Sequence, residues 1–294
     1  MNNFTEQIEK PYLIAEIGCN HKGDIDLAKD MIKNAAEFCG VNAVKFQKRN
    51  PKELLTEKEY NNPHPNPINS YGSTYGEHRE YLEFNKDQHK ELQKWCNNYN
   101  VEYSSSVWDK ASAHDIIELN PKMIKIPSAC NLDFDILQIL CEGYDGEIHV
   151  SLGMTTVNEE EKIISFFDGY NRSKDLVIYS CTSGYPVDFD DICLYEITRL
   201  YKKYENRVKR IGFSGHHLGI AADIAAMTLG ASIIERHYTL DRTWKGTDHS
   251  ASLEPDGMRK LSRDLKHVYK AMSYKATEIL EVEQVQRKKL KRNC

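Results

Sequence analysis

The sequence lacks long apolar runs: no segment approaches the roughly 18 consecutive apolar residues of a membrane-spanning helix. Its N-terminal stretch, residues 1–7, is polar and lacks the apolar centre of a signal peptide. Positive charge is not in excess, since 39 Lys and Arg stand against 44 Asp and Glu, so no nucleic-acid or membrane-surface partner is expected. These absences predict a cytoplasmic protein that acts on small molecules.

Two common motifs are also missing. The eight cysteines form no C-x-x-C pair, and in a cytosolic chain they are expected to be reduced and mostly buried as small apolar residues. No G-x-G-x-x-G follows a predicted strand, so nothing favours a dinucleotide-binding fold.

Short apolar runs and amphipathic stretches alternate along the chain. Repeated strand–helix units of this length indicate a parallel sheet, and eight of them favour a closed α/β barrel of the TIM (β/α)8 type, which needs about 250 residues. We therefore predict a barrel domain over residues 1–276 and a basic tail or linker over 277–294. The predicted strands are 12–18, 43–47, 102–107, 123–128, 148–154, 176–181, 210–214 and 233–238.

One connection is out of pattern. Residues 49–84 follow the second strand and are rich in Asn, Pro, Gly and Tyr. Connections longer than about 15 residues are usually functional or disordered. The position of this insertion on the catalytic face makes it a candidate lid, and a surface insertion without a role is nearly as well supported.

Two histidines end neighbouring predicted strands. His216 closes the seventh strand and His237 lies at the end of the eighth. Active sites of such barrels lie at the carboxyl ends of the strands, where two imidazoles together are able to hold a divalent metal. The alternative is a hydrogen-bonded core role for each. His217 should point the opposite way along an extended chain, and Asp248 follows the eighth strand, where it could complete the metal shell or hold a metal-bound water.

Charged residues interrupt three of the apolar strands. Glu16 could orient a sugar hydroxyl or move a proton, or it could form an internal ion pair with Lys45. Lys45 and Lys125 lie in mid-strand, where an ammonium is costly to bury without an anion. We favour a bound anion over two outward-pointing lysines. Hydroxyl groups at successive strand ends would form a ring of phosphate donors: Ser106, Ser128, Ser151, Ser183 and Ser214, with Tyr185 nearby.

These residues, in this order, resemble the sialic acid synthase (N-acetylneuraminate synthase) family. The resemblance implies a TIM barrel and a homodimer. It also implies condensation of phosphoenolpyruvate with an amino-sugar aldehyde, usually with Mn²⁺, although Mg²⁺ or Co²⁺ would also fit. The matching segments are 15–23 (AEIGCNHKG), 43–47 (AVKFQ), 125–128 (KIPS), 151–154 (SLGM), 181–186 (CTSGYP), 212–216 (GFSGH), 235–237 (ERH) and 247–255 (TDHSASLEP).

The resemblance also implies a role for each matching position. His216 and His237 would be metal ligands, and Glu16, Gln47 and Asp248 would face the sugar and the reacting water. Phosphoenolpyruvate would be held by Lys45, Ser106, Lys125, Ser128, Ser151, Ser183, Tyr185 and Ser214.

The chain departs from the family pattern in three places. Cys130 stands where an acidic residue is common, and Gly215 replaces the aspartate of a Ser-Asp-His motif. Family members usually continue into a small antifreeze-like domain that gives an arginine to a partner's site. The run Arg287–Arg292 resembles the linker to that domain, so we expect the domain to be missing, and its arginine as well unless another chain provides it. The acceptor sugar is therefore left open.

Two other functions fit the same barrel. One is a metal-dependent aldolase or sugar isomerase; an aldolase that uses a Schiff base instead would need a lysine of depressed pKa and no metal. The other is a non-catalytic binding or scaffold subunit.

Overall fold

Eight parallel strands close into one barrel in the computed structural model, which describes residues 9–292. Each strand pairs with the next along the chain, and the eighth pairs with the first, as in a TIM barrel. The predicted fold is confirmed. The strands are β1 (Tyr12–Gly18), β2 (Ala43–Lys48), β3 (Glu102–Val107), β4 (Met123–Ile126), β5 (Glu147–Ser151), β6 (Leu176–Cys181), β7 (Arg210–Gly215) and β8 (Ile233–His237).

Helices surround the barrel, and three short ones lie in the insertion after β2. A π-helical turn, Asn34–Cys39, extends the first helix, and short 3₁₀ turns occupy several loops. The helices are α1 (Ile25–Lys33), α2 (Pro51–Leu54), α3 (Glu57–Asn61), α4 (Tyr75–Tyr81), α5 (Lys86–Asn98), α6 (Lys110–Leu119), α7 (Phe134–Gly143), α8 (Val157–Gly169), α9 (Tyr195–Tyr204), α10 (Ala221–Thr228), α11 (Pro255–Ala271) and α12 (Glu281–Leu290).

Local sequence fixes where the helices begin. Thr156 caps α8 by accepting a hydrogen bond from the backbone N–H of Glu159, whose carboxylate reaches back to the N–H of Thr156. Asp109 caps α6 in the same position, accepting from the N–H of Ser112 at 2.7 Å. These caps lie in the connections that follow β5 and β3, so they fix where each connection ends and its helix begins.

One layer of the barrel interior is apolar and is closed by one tyrosine. The ring of Tyr179 is fully buried and packs with the residues of that layer. A Cβ on the neighbouring Gly212 would lie 2.6 Å from this ring, so only glycine leaves it room. Tyr179 therefore forms the floor on which the polar upper half rests. The apolar layer below it consists of Ile14, Ala43, Met123, Val177 and Ile233.

The structure differs from the sequence-based boundaries at several points, and the fifth strand ends at Ser151 rather than at residue 154. The fourth strand ends at Ile126 rather than at residue 128, because Pro127 has no N–H for the ladder and a 3₁₀ turn follows it. The insertion 49–84 contains α2, α3 and α4, two of them started by Thr–Glu capping boxes. The expected tail contains the exposed helix α12. Within residues 9–292, no helix has the length and apolar character needed to cross a membrane.

Candidate active site

A cavity of about 460 Å³ opens at the carboxyl ends of the strands. All thirteen residues singled out from the sequence line it, and they reach it from all eight strands and the loops that follow them. Their chemical roles remain predictions. The thirteen are Glu16, Lys45, Gln47, Ser106, Lys125, Ser128, Ser151, Ser183, Tyr185, Ser214, His216, His237 and Asp248.

One wall of the cavity carries a buried ion pair. Glu16 lies in register with Lys45 on the neighbouring strand, and the carboxylate contacts the ammonium. Lys45 also donates a hydrogen bond of 2.7 Å to the hydroxyl of Ser106. Burial lowers the pKa of Lys45 to about 8, against the opposing attraction of Glu235. The internal ion pair considered for Glu16 is therefore present, on the wall of the cavity.

Glu235 links both lysines, and the sequence analysis missed it. Its carboxylate accepts hydrogen bonds from Lys125 at 3.1 Å and from the hydroxyl of Ser214 at 3.0 Å, and it lies 3.8 Å from Lys45. Burial alone would raise the pKa of Glu235, but the two ammonium groups outweigh it and hold this pKa well below the usual carboxyl value. The sequence could have pointed to Glu235, because it is a carboxylate inside an apolar strand, the same pattern that singled out Glu16.

Lys125 stands on the floor of the cavity. Its ammonium lies 3.3 Å from the centre of the Tyr179 ring, a cation–π contact. Burial lowers the pKa of Lys125, and the Glu235 carboxylate opposes the shift. Both lysines are thus buried cations, each already facing a carboxylate.

Hydroxyl groups converge on Gly153, which follows β5. A Cβ at this glycine would lie 2.4 Å from the Ser183 hydroxyl oxygen and 2.6 Å from that of Ser128. Because Gly153 has no side chain, both hydroxyl groups pack against its backbone and lie near each other, forming a hydroxyl cradle that lines the cavity. Two neighbouring hydroxyl donors suit an oxyanion.

The two histidines meet in the same cavity. Their ring centres are 5.4 Å apart, and the Tyr185 ring packs against both, 4.4 Å from His216 and 5.7 Å from His237. Nδ1 of His216 donates to the Thr182 carbonyl oxygen at 2.9 Å, which leaves Nε2 with a free lone pair. Nδ1 of His237 is buried without a hydrogen-bond partner.

This pair fits a divalent metal by its donor chemistry. Burial lowers the pKa of His216 to about 3 and also lowers that of His237, so both rings are neutral, as metal ligands must be. The orphaned Nδ1 and the carbonyl that orients His216 are features of a ligand pair. Within residues 9–292, no three His, Cys, Asp or Glu side chains are grouped to hold a metal.

Asp248 approaches Glu16 at the end of β1. Gly18 adopts a left-handed backbone conformation with φ +55°, and a Cβ there would lie 3.1 Å from a Glu16 oxygen and 3.8 Å from an Asp248 oxygen. Asp248 also opposes the lowering of the pKa of His237. The two carboxylates thus lie close to Gly18, beside the histidine pair. The neighbouring Cys19 is a neutral thiol, because burial raises its pKa to about 11.

His217 turns away from this cavity, as the extended backbone predicted. Its Nε2 lies 3.4 Å from the Asp223 carboxylate and 3.1 Å from an Arg236 nitrogen, and all three side chains are buried. His216 therefore lines the cavity, whereas its neighbour His217 lies in a separate buried cluster with Asp223 and Arg236.

The mouth of the cavity is built largely by the insertion, which contributes Arg49, His78, Arg79 and Leu82 to the lining. Arg49 is buried and paired with Glu83, and its guanidinium also reaches the Cys19 sulfur at 3.0 Å. The sequence analysis assigned no role to these residues, because a helical insertion gives no strand register from which to place them. The proposed lid function of the segment remains a prediction.

Comparison with known proteins places the chain among sugar-acid synthases. A model described as the NeuB family matches residues 31–277. The N-acetylneuraminate-9-phosphate synthase of Mus musculus is 37% identical over 279 residues, which cover 95% of this chain and 76% of that protein. The N,N'-diacetyllegionaminic acid synthase of Campylobacter jejuni is 32% identical over 267 residues, covering 90% of this chain and 78% of that protein.

Solved structures share the architecture. The N-acetylneuraminic acid (sialic acid) synthetase of Leptospira borgpetersenii, crystallised with citrate, aligns with a TM-score of 0.81 at 28% identity, covering 97% of this chain and 93% of that one. A DAHP synthase of Thermotoga maritima, at 13% identity, aligns with a TM-score of 0.66 over 90% of this chain and 71% of that one and shares the fold.

Proposed function

This chain belongs to the NeuB family, and from that membership and the geometry of the cavity we propose the reaction that it catalyses. It condenses phosphoenolpyruvate with an amino-sugar aldehyde to give a sialic-acid-like 3-deoxy-2-ulosonic acid and phosphate. The relatives are named as synthases of such acids, in agreement with the predicted enzyme class. The observation that carries the proposal is a single cavity lined by two buried lysines, converging hydroxyl groups and two neutral histidines.

Phosphoenolpyruvate fits the floor and the hydroxyl cradle. Lys45 and Lys125 offer ammonium N–H donors, while Ser128 and Ser183 offer hydroxyl donors beside Gly153. Held there, the enol carbon would face the histidine side of the cavity, because the lysines and hydroxyls fix its other end. Such positioning removes much of the entropic barrier to the bimolecular step. The remaining binding residues in this proposal are Ser106, Ser151, Tyr185 and Ser214.

A divalent metal, which we propose to be Mn²⁺, would be held by His216 and His237. When bound, it makes the acceptor aldehyde more electrophilic and stabilises negative charge on its oxygen. The protein's own contribution is to orient His216 through the Thr182 carbonyl and to keep both rings neutral by burial. Activity with Mn²⁺, Mg²⁺ and Co²⁺ compared at equal concentration tests the choice of ion.

Water must add to C2 of the condensed product before phosphate leaves. Glu16 and Asp248 flank Gly18 beside the histidines, and in this proposal they hold the water and accept its proton. Gln47 lies on the same wall and would hydrogen-bond to the sugar. The bond formed joins C3 of phosphoenolpyruvate to the aldehyde carbon, and the bond broken is the C2–O bond to phosphate.

Phosphate release tests the proposal. The protein is mixed with phosphoenolpyruvate, Mn²⁺ and a panel of aldoses that includes N-acetylmannosamine, its 6-phosphate and a 2,4-diacetamido-trideoxyhexose. We expect release with at least one acceptor, none without an acceptor, and none after chelation of the metal. Absence of release with every acceptor and ion would instead favour a non-catalytic barrel subunit.

One observation favours a second function. The pKa of Lys45, lowered by burial to about 8, is the property that a Schiff-base aldolase requires. The ion pair with Glu16 argues against it, because the pair keeps the ammonium charged. Borohydride with pyruvate would trap a lysine adduct in such an aldolase, and we expect no adduct. A metal-dependent aldolase would instead consume a ulosonic acid without phosphoenolpyruvate.

We also propose a cytoplasmic homodimer. Seven cysteines within residues 9–292 are free thiols, as expected in a reducing compartment. Twofold assemblies are the commonest oligomers of soluble enzymes. Light scattering coupled to size-exclusion chromatography gives the mass, and a monomer mass would contradict this proposal.

A further inference from the structure

We propose that Tyr179, beneath the cavity, is a positioning residue for phosphoenolpyruvate, because the face of its ring holds the Lys125 ammonium where that group meets the substrate. The inference rests on the proposed function and deepens it, since it names a residue that acts on the substrate through Lys125. It starts from a buried aromatic ring that carries a cation on its face and takes no part in the reaction itself.

The Lys125 ammonium is stabilised from two directions. It lies 3.3 Å from the centre of the Tyr179 ring, and it donates to the Glu235 carboxylate, with both oxygens at 3.1 Å. Glu235 also accepts from Ser214 and lies 3.8 Å from Lys45, so its charge is shared between two ammonium groups. The electron-rich ring face therefore supplies part of the stabilisation that this buried cation needs.

This arrangement leaves part of the ammonium group for a ligand. A lysine carries three N–H donors. Glu235 occupies one direction and the Tyr179 ring another, and Lys125 lines the cavity. Among residues 9–292 nothing else accepts a hydrogen bond from this ammonium, so one donor remains for an oxygen of phosphoenolpyruvate. The ring thus fixes the direction in which Lys125 meets the substrate.

The Tyr179 ring is itself anchored through its hydroxyl group. The hydroxyl oxygen lies 2.7 Å from Nδ1 of His149, whose Nε2 lies 3.3 Å from the Glu147 carboxylate. Burial lowers the pKa of His149 to about 4, so the imidazole is neutral and carries its proton on Nε2, facing the carboxylate. Nδ1 therefore accepts the phenol proton. This donation polarises the phenol, which makes the ring face more attractive to a cation.

The ring also favours the charged state of Lys125. Burial lowers the pKa of Lys125, and the ring opposes that shift because only the ammonium gains from the contact. A less electron-rich ring should therefore lower this pKa further and weaken phosphoenolpyruvate binding most at alkaline pH. The other titratable groups that interact with Lys125 are Glu235 of β8, Lys45 of β2, Cys181 of β6 and His149 of β5. They stay the same when only the ring is changed.

The test places a series of rings of nearly the same shape at position 179 of the intact protein. The series begins with Tyr179→Phe and continues with phenylalanines that carry one, two and three fluorine atoms. Fluorine withdraws electron density from the ring face and so weakens a cation–π contact stepwise. Calorimetry should show the Kd for phosphoenolpyruvate rising with each fluorine, by about 5- to 30-fold in total at pH 7 and by more at pH 9. Fluorinated tyrosines give the same comparison with the hydroxyl kept, should the phenylalanine series be unstable.

Phe167 of α8 provides the matched control, because its ring is fully buried but lies outside the cavity. The same fluorinated phenylalanines at position 167 should leave the Kd within about twofold of the wild type. A second measurement needs no substrate. In protein labelled with ¹⁵N-lysine, NMR follows the side-chain nitrogen of Lys125, and its pKa should fall with each fluorine at position 179.

A Kd that stays constant along the series, while the wild type binds phosphoenolpyruvate, would overturn the inference and leave the proposed function standing. An unchanged pKa of Lys125 would overturn it as well. Failure of the wild type to bind phosphoenolpyruvate, together with a pKa of Lys125 that falls along the series, would contradict the proposed function and leave the ring contact supported.

Discussion

Replacing Glu235 by Gln should destabilise the barrel strongly, although the two side chains have nearly the same shape. The substitution leaves two buried ammonium groups, those of Lys45 and Lys125, with one carboxylate, Glu16. Removal of one partner from a buried ion pair costs about 3–5 kcal/mol. For a chain of this size that corresponds to a fall in Tm of about 6–20 °C.

Thermal unfolding at pH 7, followed by far-UV circular dichroism, measures this fall. The matched control is Glu118→Gln, which removes the carboxylate of an exposed pair with Lys86 and should shift the Tm by less than about 2 °C. Phosphoenolpyruvate should raise the Tm of Glu235→Gln by more than that of the wild type, because its negative charge compensates the unpaired lysine. A Tm of Glu235→Gln within about 2 °C of the wild type would refute the assigned charge balance.

Three further predictions address the metal, the substrate cradle and acid stability. His237→Ala should abolish metal-dependent turnover and Mn²⁺ binding measured by electron paramagnetic resonance, with the far-UV spectrum unchanged; a fully active variant would defeat the ligand assignment. Gly153→Ala should raise the KM for phosphoenolpyruvate at least about tenfold, because its Cβ would displace the hydroxyl groups of Ser128 and Ser183; an unchanged KM would place the enol phosphate elsewhere. His89 is buried and its pKa is lowered by burial to about 3, so between pH 6.5 and 4 the unfolded chain binds a proton that the folded chain does not. Stability therefore falls as the pH drops through this window, and in urea titrations His89→Asn should reduce that dependence by about 1.4 kcal/mol per pH unit; an unchanged slope would contradict the buried neutral state.

The fold was predictable because each strand can be recognised from its own local sequence. Strand-like segments of five to seven residues, most of them apolar, alternate with amphipathic stretches eight times, and this repeat indicates the barrel. Boundaries were less predictable where the chain turns at Pro127, because the apolar run continues past the last ladder bond. The insertion was read as a loop, since its short helices depend on caps at Thr56 and Thr74 more than on apolar periodicity.

The candidate site was predictable where strand ends carry polar residues, since the barrel brings all such ends to one rim. His216 and His237 were placed in this way, as were the serines that follow successive strands. Glu235 also lies inside an apolar strand, as Glu16 does, but it was not predicted to be a site residue. Arg79 was beyond this reasoning, because its position depends on how the insertion packs over β3 and no strand register reports that packing.

Oxygen labelling tests the central claim most directly. Phosphoenolpyruvate carrying ¹⁸O in its bridging C–O–P oxygen is incubated with the protein, Mn²⁺ and the acceptor that gives the fastest phosphate release. Condensation with C–O cleavage predicts that the released phosphate contains the label, while the hydroxyl oxygen at C2 of the new acid comes from water. Unlabelled phosphate, with the ¹⁸O remaining on the three-carbon unit, would contradict the proposed reaction.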